Sequence, residues 1–187
     1  MYRLLWQAYS SPSTLFFGEK QIRSESGIQQ GDPFGPALLA LAVDGAARRV
    51  KSEFNVWYLD DATLGDSPER VLEDLRTLLD SLKSIGLEVN SGKCELVFLN
   101  GEDPGTTGMF RELLPEVRVV QMTDLSLLGA PVSDSCILGK LKSKREDFSR
   151  LVSRLESVNS HQAFVLLRNS FAIPKLQYFL RASPTFH

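Results

Sequence analysis

Residues 54–64 read Phe54-Asn55-Val56-Trp57-Tyr58-Leu59-Asp60-Asp61-Ala62-Thr63-Leu64. Apolar, β-favouring residues lie on both sides of the aspartate pair, so this stretch predicts two strands joined by a tight turn with both carboxylates at its tip. Neighbouring like charges repel, and a divalent cation with oxygen ligands, such as Mg²⁺, is the simplest compensation. Asp-Asp is also ordinary turn chemistry, so on these residues alone a plain surface turn is the favoured interpretation.

The length and composition of the chain set broad limits on what it is. Its 187 residues, 43% of them hydrophobic, suffice for one domain, or one domain with a small appendage, around a buried core. It has no run of 18 apolar residues and no signal sequence at its start, which predicts an intracellular protein, nuclear or cytoplasmic. Cys94 and Cys136 suit a reducing compartment and lack the spacing of a metal site.

Charge is segregated along the chain. Residues 53–137 carry 16 acidic and 6 basic side chains, whereas residues 138–187 carry 9 basic and 3 acidic ones. An acidic centre followed by a basic tail favours a metal site in the middle and a nucleic-acid-contacting element after it. Separate solvated faces would give the same totals, so charge alone leaves both interpretations open.

Hydrophobic periodicity and turn residues predict the other elements, which together indicate an α+β protein. Before the aspartates we expect a hairpin at 14–23, a Gly- and Pro-rich loop at 27–36 and a mostly buried helix at 37–50. The elements expected after them are a helix at 67–85, strands near 87–90 and 95–99, a flexible loop at 100–108, strands at 117–121 and from 127, a helix from 138, and a last helix that Ser160 caps and Pro174 breaks.

Two segments carry a resemblance to a known family. Ser26-Gly27-Ile28-Gln29-Gln30-Gly31-Asp32-Pro33-Phe34-Gly35-Pro36 resembles the fingers–palm motif of reverse transcriptases (RNA-directed DNA polymerases), especially those of non-long-terminal-repeat retrotransposons. Tyr58-Leu59-Asp60-Asp61 resembles their Tyr-x-Asp-Asp hairpin. Residues 86–94 and the Leu128-Gly129 turn follow in the order of the family's next motif and its primer grip. Viral RNA-copying polymerases more often carry Gly-Asp-Asp, so the tyrosine favours a reverse transcriptase.

The resemblance implies a role for each matching residue in nucleotidyl transfer, which needs metal ions at the primer 3′ oxygen and the pyrophosphate. Asp60 and Asp61 match the catalytic carboxylates that bind Mg²⁺, and Tyr58 matches a residue near the primer end. Gln30 and Gly31 match the lining of the incoming-nucleotide pocket, where glycine lets backbone approach the ligand. The residue that matches a lysine proposed to protect or protonate the pyrophosphate is Lys93. The implied partners are an RNA template, a DNA primer and deoxynucleotides.

Each of these residues also has a plain structural interpretation. Residues 30–33 could form only a helix-entry turn, since Asp and Pro belong there. Lys93 could be an exposed loop lysine, and Tyr58 could simply pack within its strand.

The resemblance also implies a division of the chain. Residues 1–137 correspond to a partial palm, built as a split βαβ with an antiparallel sheet backed by helices, and residues 138–187 to a small helical thumb. In the family the thumb holds template–primer duplex, a sequence-independent contact for which basic side chains suffice. The basic residues of the segment are Lys140, Lys142, Lys144, Arg145, Arg150 and Arg154. A solvated helix face is the equal alternative.

One part of the family's catalytic site has no counterpart in the sequence. A reverse transcriptase has a third metal-binding aspartate on a strand before the first motif, yet here no aspartate precedes Asp32. The fingers region is missing as well, so the resemblance implies an N-terminally truncated domain, a fragment of a longer parent chain. Adjacent carboxylates alone do not fix two metals in the required geometry. We therefore expect the chain to be inactive alone, and a non-catalytic module that binds nucleic acid or protein is the alternative.

Overall fold

The computed structural model describes residues 2–29, 31–171 and 173–183. The fold is mixed α+β, as predicted, and the chain divides between Val89 and Asn90 into two compact units. The first unit comprises α1 (Tyr2–Tyr9), β1 (Ser13–Phe17), β2 (Lys20–Ser24), α2 (Gly35–Ala47), β3 (Phe54–Tyr58), β4 (Asp61–Gly65) and α3 (Pro68–Ser84). The second comprises a 3₁₀ turn (Ser91–Lys93), β5 (Glu95–Leu96), α4 (Pro104–Leu113), β6 (Arg118–Val119), β7 (Ser126–Leu127), β8 (Ala130–Pro131), α5 (Asp134–Leu155), α6 (Ser160–Leu166), a π-helical turn (Leu167–Phe171) and α7 (Ile173–Ala182).

The core of the first unit lies between α2, α3 and the β3–β4 hairpin. Its buried residues are Val43 and Ala46 from α2, with Leu78 and Leu82 from α3. Five partly buried side chains pack against them: Leu39, Trp57, Leu64, Leu87 and Val89. On α3 this packing follows from the sequence, because its apolar residues recur at helical spacing. On the hairpin, Trp57 and Leu64 lie on the packed face, whereas Phe54 and Val56 are exposed.

The predicted hairpins at 14–23 and 54–64 and the predicted helix at 67–85 are confirmed, with Gly86 ending that helix at a φ of 79°. Helix α2 is confirmed too, but the expectation that it is mostly buried is wrong. Only one face of α2 packs on the core, and Leu41 on another face is 75% exposed. Within the described residues of the first unit, α2 is therefore covered on one face only.

The predicted continuous antiparallel sheet does not form within the described residues. Their strands make four separate two-stranded pairs, namely β1–β2, β3–β4, β5–β6 and β7–β8, of which β5–β6 is parallel. The strand expected near 87–90 is wrong, because these residues have no strand partner and instead lead from Gly86 towards the 3₁₀ turn. Strands predicted at 95–99 and 117–121 shorten to the two-residue pair β5–β6.

The segment 100–108 corrects a further expectation. A flexible loop was expected, yet α4 starts at Pro104. The Asp103 carboxylate accepts hydrogen bonds from the backbone N–H groups of Gly105 (3.3 Å) and Thr106 (2.9 Å), which is N-terminal capping. The Thr106 hydroxyl also donates to this carboxylate, and that hydrogen bond is the main reason why the pKa of Asp103 lies below its ordinary value. The tendency of Asp103-Pro104 to start a helix therefore outweighs the tendency of the nearby glycines to form a loop.

The helical C-terminal part also differs in detail from the prediction. Helix α5 begins at Asp134, four residues before the expected start at 138. The cap of α6 is Asn159 rather than Ser160, and its side-chain oxygen accepts a hydrogen bond from the His161 N–H at 3.1 Å. Pro174 lies in the first turn of α7, where a missing N–H has no cost, so it opens a helix there.

Candidate functional site

The aspartate pair lies at the tip of the β3–β4 hairpin. Leu59 and Asp60 form a two-residue turn, and Asp61 is the first residue of β4, directly opposite Tyr58. Leu59 has a φ of 56°, in the left-handed region that a branched side chain rarely adopts. The tip therefore holds a strained backbone beside its two carboxylates, a combination that clusters at functional sites.

Replacing Leu59 with glycine is expected to leave the free energy of unfolding unchanged or to raise it by up to about 1 kcal/mol. Glycine adopts the left-handed conformation without steric cost, and Leu59 lies outside the buried core and is 43% exposed, so the packing lost is small beside the strain relieved. Urea titration measures the change. A matched control is Leu64→Ala on the same hairpin, which removes a core contact and is expected to cost about 2 kcal/mol. A loss above about 1 kcal/mol for Leu59→Gly would show that the turn is unstrained.

The hairpin is fixed on the core by one of its faces. Trp57 and Leu64 pack against α2 and α3. The Trp57 indole N–H donates to the Asn55 side-chain oxygen at 2.8 Å, and the Asn55 amide donates to the Ala47 carbonyl at 2.9 Å. This relay ties the hairpin to the C-terminal end of α2. The orientation of the tip is thus set by rigid elements.

The opposite face of the hairpin is exposed. Phe54, Val56 and Tyr58 lie on it, and cross-strand pairing places Asp61 beside Tyr58 on the same face. Tyr58 is 58% exposed, so packing covers less than half of it within the described residues. It stands next to a carboxylate, and its predicted place near a primer end stays a prediction.

The loop before α2 is held in place by Asp32. One oxygen of its carboxylate accepts a hydrogen bond from the Tyr9 hydroxyl, and the other accepts one from the Phe34 N–H at 2.8 Å. The Tyr9 hydrogen bond is the main reason why the pKa of Asp32 lies below its ordinary value and that of Tyr9 above. Gly31 has a φ of 90°, so the turn at this point requires glycine. The loop is thus clamped between the end of α1 and the start of α2.

The loop before α2 is also closely packed. Gly35 is buried, and a Cβ added to it would lie 3.0 Å from a methyl carbon of Ile28. The Gln29 side chain donates to the Ser13 hydroxyl at 2.9 Å. Gln30, the other residue that matches the nucleotide pocket, lies outside the described residues. For Gly31, the role in that pocket stays a prediction.

The carboxylates fit only part of a two-metal site. Asp60 and Asp61 are exposed at the tip, and across residues 2–29, 31–171 and 173–183 no three His, Cys, Asp or Glu side chains cluster in a way that could hold a metal ion. Mg²⁺ prefers oxygen ligands, so the donor type is suitable. The number of carboxylate donors is too small, because in-line displacement needs two metal ions held together.

Two further aspartates of the first unit do structural work that sequence reasoning missed. Asp66 accepts hydrogen bonds from the N–H groups of Glu53 (3.0 Å) and Ser67 (2.6 Å), which closes the open end of the hairpin. Asp74, buried on α3, accepts three hydrogen bonds through one oxygen, from the N–H groups of Lys51 and Ser52 and from the Ser52 hydroxyl. A signal was present in the sequence, because Asp74 lies within the apolar stripe of α3.

Lys93 and the basic helix belong to the second unit. Lys93 is exposed in the 3₁₀ turn. On α5, Lys140 donates to the Ser126 hydroxyl at 3.3 Å, Lys144 lies over the Phe179 ring, and Arg150 pairs with Asp147. The remaining cations of the predicted run are exposed, and no ion pair is found for them among the described residues: Lys142, Arg145 and Arg154.

The first unit is therefore a mixed α+β module. It carries two carboxylates at the tip of the β3–β4 hairpin, and a glycine-containing loop held by Asp32 leads into α2. A family model described as reverse transcriptase (RNA-dependent DNA polymerase) matches residues 2–132, well over half of the chain. The chain belongs to the reverse transcriptase family. Comparisons with curated proteins and with solved structures gave no match. Among the described residues, no helix is both long enough and apolar enough to cross a membrane.

Proposed function

We propose that this chain is the palm and thumb part of a reverse transcriptase of the retrotransposon type. One observation carries the proposal: within the first unit, the Asp60-Asp61 tip and the Gly31-Asp32 loop are both anchored to α2. The loop leads directly into its N-terminus, and the hairpin is tied to its C-terminal end through Asn55. Two distant sequence motifs thereby attach to the two ends of one helix, and this rigid connection supports the proposal that they act in one site.

The residue roles form part of this proposal. Asp60 and Asp61 supply carboxylates for Mg²⁺, Tyr58 lies near the primer end, Gln30 and Gly31 line the nucleotide pocket, and Lys93 acts on the pyrophosphate. Within the proposed division, residues 1–137 form the palm and 138–187 the thumb, and the protein is intracellular. RNA template, DNA primer and deoxynucleotides are the corresponding partners.

We further propose that these 187 residues do not polymerise DNA by themselves. The family's reaction uses a third carboxylate, and the described residues provide only the adjacent pair. On its own, the chain then acts as a module that holds nucleic acid without copying it.

Binding of template–primer duplex by the second unit is the testable consequence. The exposed cations of α5 carry it, because phosphate contacts need positive charge and no sequence-specific geometry. With a fluorescent RNA–DNA duplex, we expect anisotropy to report binding that weakens steeply as salt rises from about 25 to about 200 mM. For three phosphate contacts, the slope of log affinity against log salt is roughly −2.7. An absence of binding at the lowest salt concentration would contradict this function.

A further inference from the structure

The β1–β2 hairpin exposes apolar side chains on both of its faces. Phe16 is 73% exposed and Phe17 is 76% exposed, while Leu15 and Ile22 are each 53% exposed. Side chains alternate along a strand and directly opposite partners share a face, so Leu15, Phe17 and Ile22 lie on one face. Phe16 lies on the other. A two-stranded hairpin is at best marginally stable in water, so additional strands would stabilise this one.

The two outer edges of the hairpin differ in how they are protected. β1 reads Ser-Thr-Leu-Phe-Phe, with no charged residue and no proline, and its register with β2 contains no bulge. β2 carries Lys20 and Arg23, and charged side chains on an edge strand hinder pairing with another strand. Among the described residues, β1 pairs with β2 alone. The other edge of β1 is therefore open and lacks the features that normally block it.

Hairpin geometry determines which backbone groups of β1 face this open edge. The loop of the hairpin has two residues, so the pair that closes it exchanges hydrogen bonds, and bonded and non-bonded pairs alternate from there. By this alternation, the backbone groups of Leu15 point towards Ile22. The N–H and C=O groups of Thr14 and Phe16 point away from β2. A further strand can therefore bond to Thr14 and Phe16 without disturbing the hairpin.

The open edge of β1 is complementary to itself. When two copies pair antiparallel about a two-fold axis at Leu15, Thr14 of each copy lies opposite Phe16 of the other. These two residues carry the outward groups, so they form a hydrogen-bonded pair, and Leu15 faces Leu15 in a non-bonded pair. No charge of β1 opposes another charge, because the strand has none.

The charges of the hairpin favour a second copy over a nucleic acid as the occupant. Arg23 is paired with Glu25 at 3.2 Å, and Lys20 follows Glu19 in sequence. These four charges sum to zero, so the hairpin offers a polyanion no net positive charge. An uncharged strand, by contrast, meets an uncharged edge. Pairing of five residues at an edge buries less than the roughly 1,200 Å² of a standard-size interface, so the association is weak and depends on concentration.

We propose that the open edge of β1 is a self-association site, at which a second copy of this chain pairs antiparallel through its own β1. The product is a dimer with a four-stranded sheet in the order β2–β1–β1–β2. Leu15, Phe17 and Ile22 of both copies then form one continuous apolar face. This inference goes beyond nucleic-acid binding and does not depend on it.

Sedimentation velocity of the 187-residue chain from about 5 to about 500 µM tests the proposal, because mass action shifts a weak dimer across that range. Leu15→Lys and Ile22→Lys form a matched pair of variants, since the two residues are cross-strand partners with equal exposure. Leu15→Lys places two ammonium groups opposite each other at the two-fold axis, so we expect the dimer Kd to rise at least about tenfold. Ile22→Lys lies on the outer strand and should change Kd by less than about threefold.

A third variant tests the backbone pairing directly. Thr14→Pro removes an N–H that faces the open edge and makes no hydrogen bond to β2, and proline is tolerated on an edge strand. We expect it to raise the dimer Kd at least about tenfold, because each dimer loses the Thr14 hydrogen bond twice. Its far-ultraviolet circular dichroism should match that of the wild type.

Three results would overturn the proposal. A wild-type chain that stayed monomeric over the whole concentration range would show that a second copy does not occupy this edge. Equal weakening by Leu15→Lys and Ile22→Lys would place the contact on the apolar face that the two residues share. A folded Thr14→Pro variant that dimerised like the wild type would show that the β1 backbone takes no part. Duplex binding by the second unit is measured separately, so its failure would leave this inference standing.

Discussion

Replacement of Asp74 with alanine is expected to lower the free energy of unfolding of the first unit by about 3 kcal/mol. The Asp74 carboxylate is 2% exposed and accepts three hydrogen bonds, at 3.0 Å from the Lys51 N–H, 2.7 Å from the Ser52 N–H and 2.6 Å from the Ser52 hydroxyl. Alanine leaves these donors without a partner at a site largely closed to water. Urea titration followed by circular dichroism measures the loss.

The same helix provides the control. Asp80 is exposed on α3, so Asp80→Ala makes the same chemical change without removing a buried hydrogen bond. Its cost is expected to stay within about 0.5 kcal/mol. Equal losses for Asp74→Ala and Asp80→Ala would show that the hydrogen bonds of Asp74 do not stabilise the unit.

The stabilisation by Asp74 also depends on pH. Burial raises the pKa of its carboxyl, but the hydrogen bonds from Ser52 and Lys51 outweigh burial and leave the pKa below its ordinary value. A group whose pKa is lowered by folding stabilises the fold above its ordinary pKa, and this contribution is lost as the pH falls through the lowered value. The stability difference between wild type and Asp74→Asn should therefore shrink below about pH 4. A difference that stayed constant down to about pH 2 would contradict this assignment.

The triple variant Lys142→Ala/Arg145→Ala/Arg154→Ala is expected to weaken binding of RNA–DNA duplex by about 10- to 100-fold at low salt. These three cations of α5 are exposed and make no ion pair among the described residues, whereas Lys140, Lys144 and Arg150 contact other side chains of the second unit. Each lost phosphate contact reduces the number of counterions that binding releases from the duplex. The slope of log affinity against log salt should therefore become shallower by up to about 2.7.

A charge-matched control shows whether the loss of affinity comes from the α5 surface or only from the change in net charge. Arg76→Ala/Lys83→Ala/Arg111→Ala removes three exposed cations from α3 and α4, so both triple variants lose three positive charges. We expect the control to retain most of the affinity. If both variants bound equally weakly, the effect would come from net charge, and α5 would not be a nucleic-acid surface.

Local patterns determined which parts of the fold could be predicted from the sequence. The β3–β4 hairpin was predictable because apolar, β-favouring residues lie on both sides of a turn pair. Helix α3 was predictable because its leucines keep helical spacing and Pro68 and Gly86 mark its ends. In each case, neighbours in sequence supply the stabilising contacts.

The mistaken expectations about strands concern contacts between distant residues. Strand pairing depends on partners far along the chain, so the sequence could not show that the strands form isolated pairs or that residues 87–90 stay unpaired. The cap at Asp103 was visible, but glycines on both sides of it suggested a loop. For the site, the motif residues were identifiable, whereas Asp74 acts through a partner 22 positions away.

Primer extension tests most directly the claim that Asp60 and Asp61 are one part of a larger catalytic site. The purified 187-residue chain is incubated with an RNA template, an annealed DNA primer, deoxynucleotides and Mg²⁺, with the Asp60→Ala/Asp61→Ala variant as background. We expect no extension product above that background, because the pair alone does not hold two metal ions. Mg²⁺-dependent extension by the wild-type chain that is lost in Asp60→Ala would contradict the claim and show a complete polymerase site.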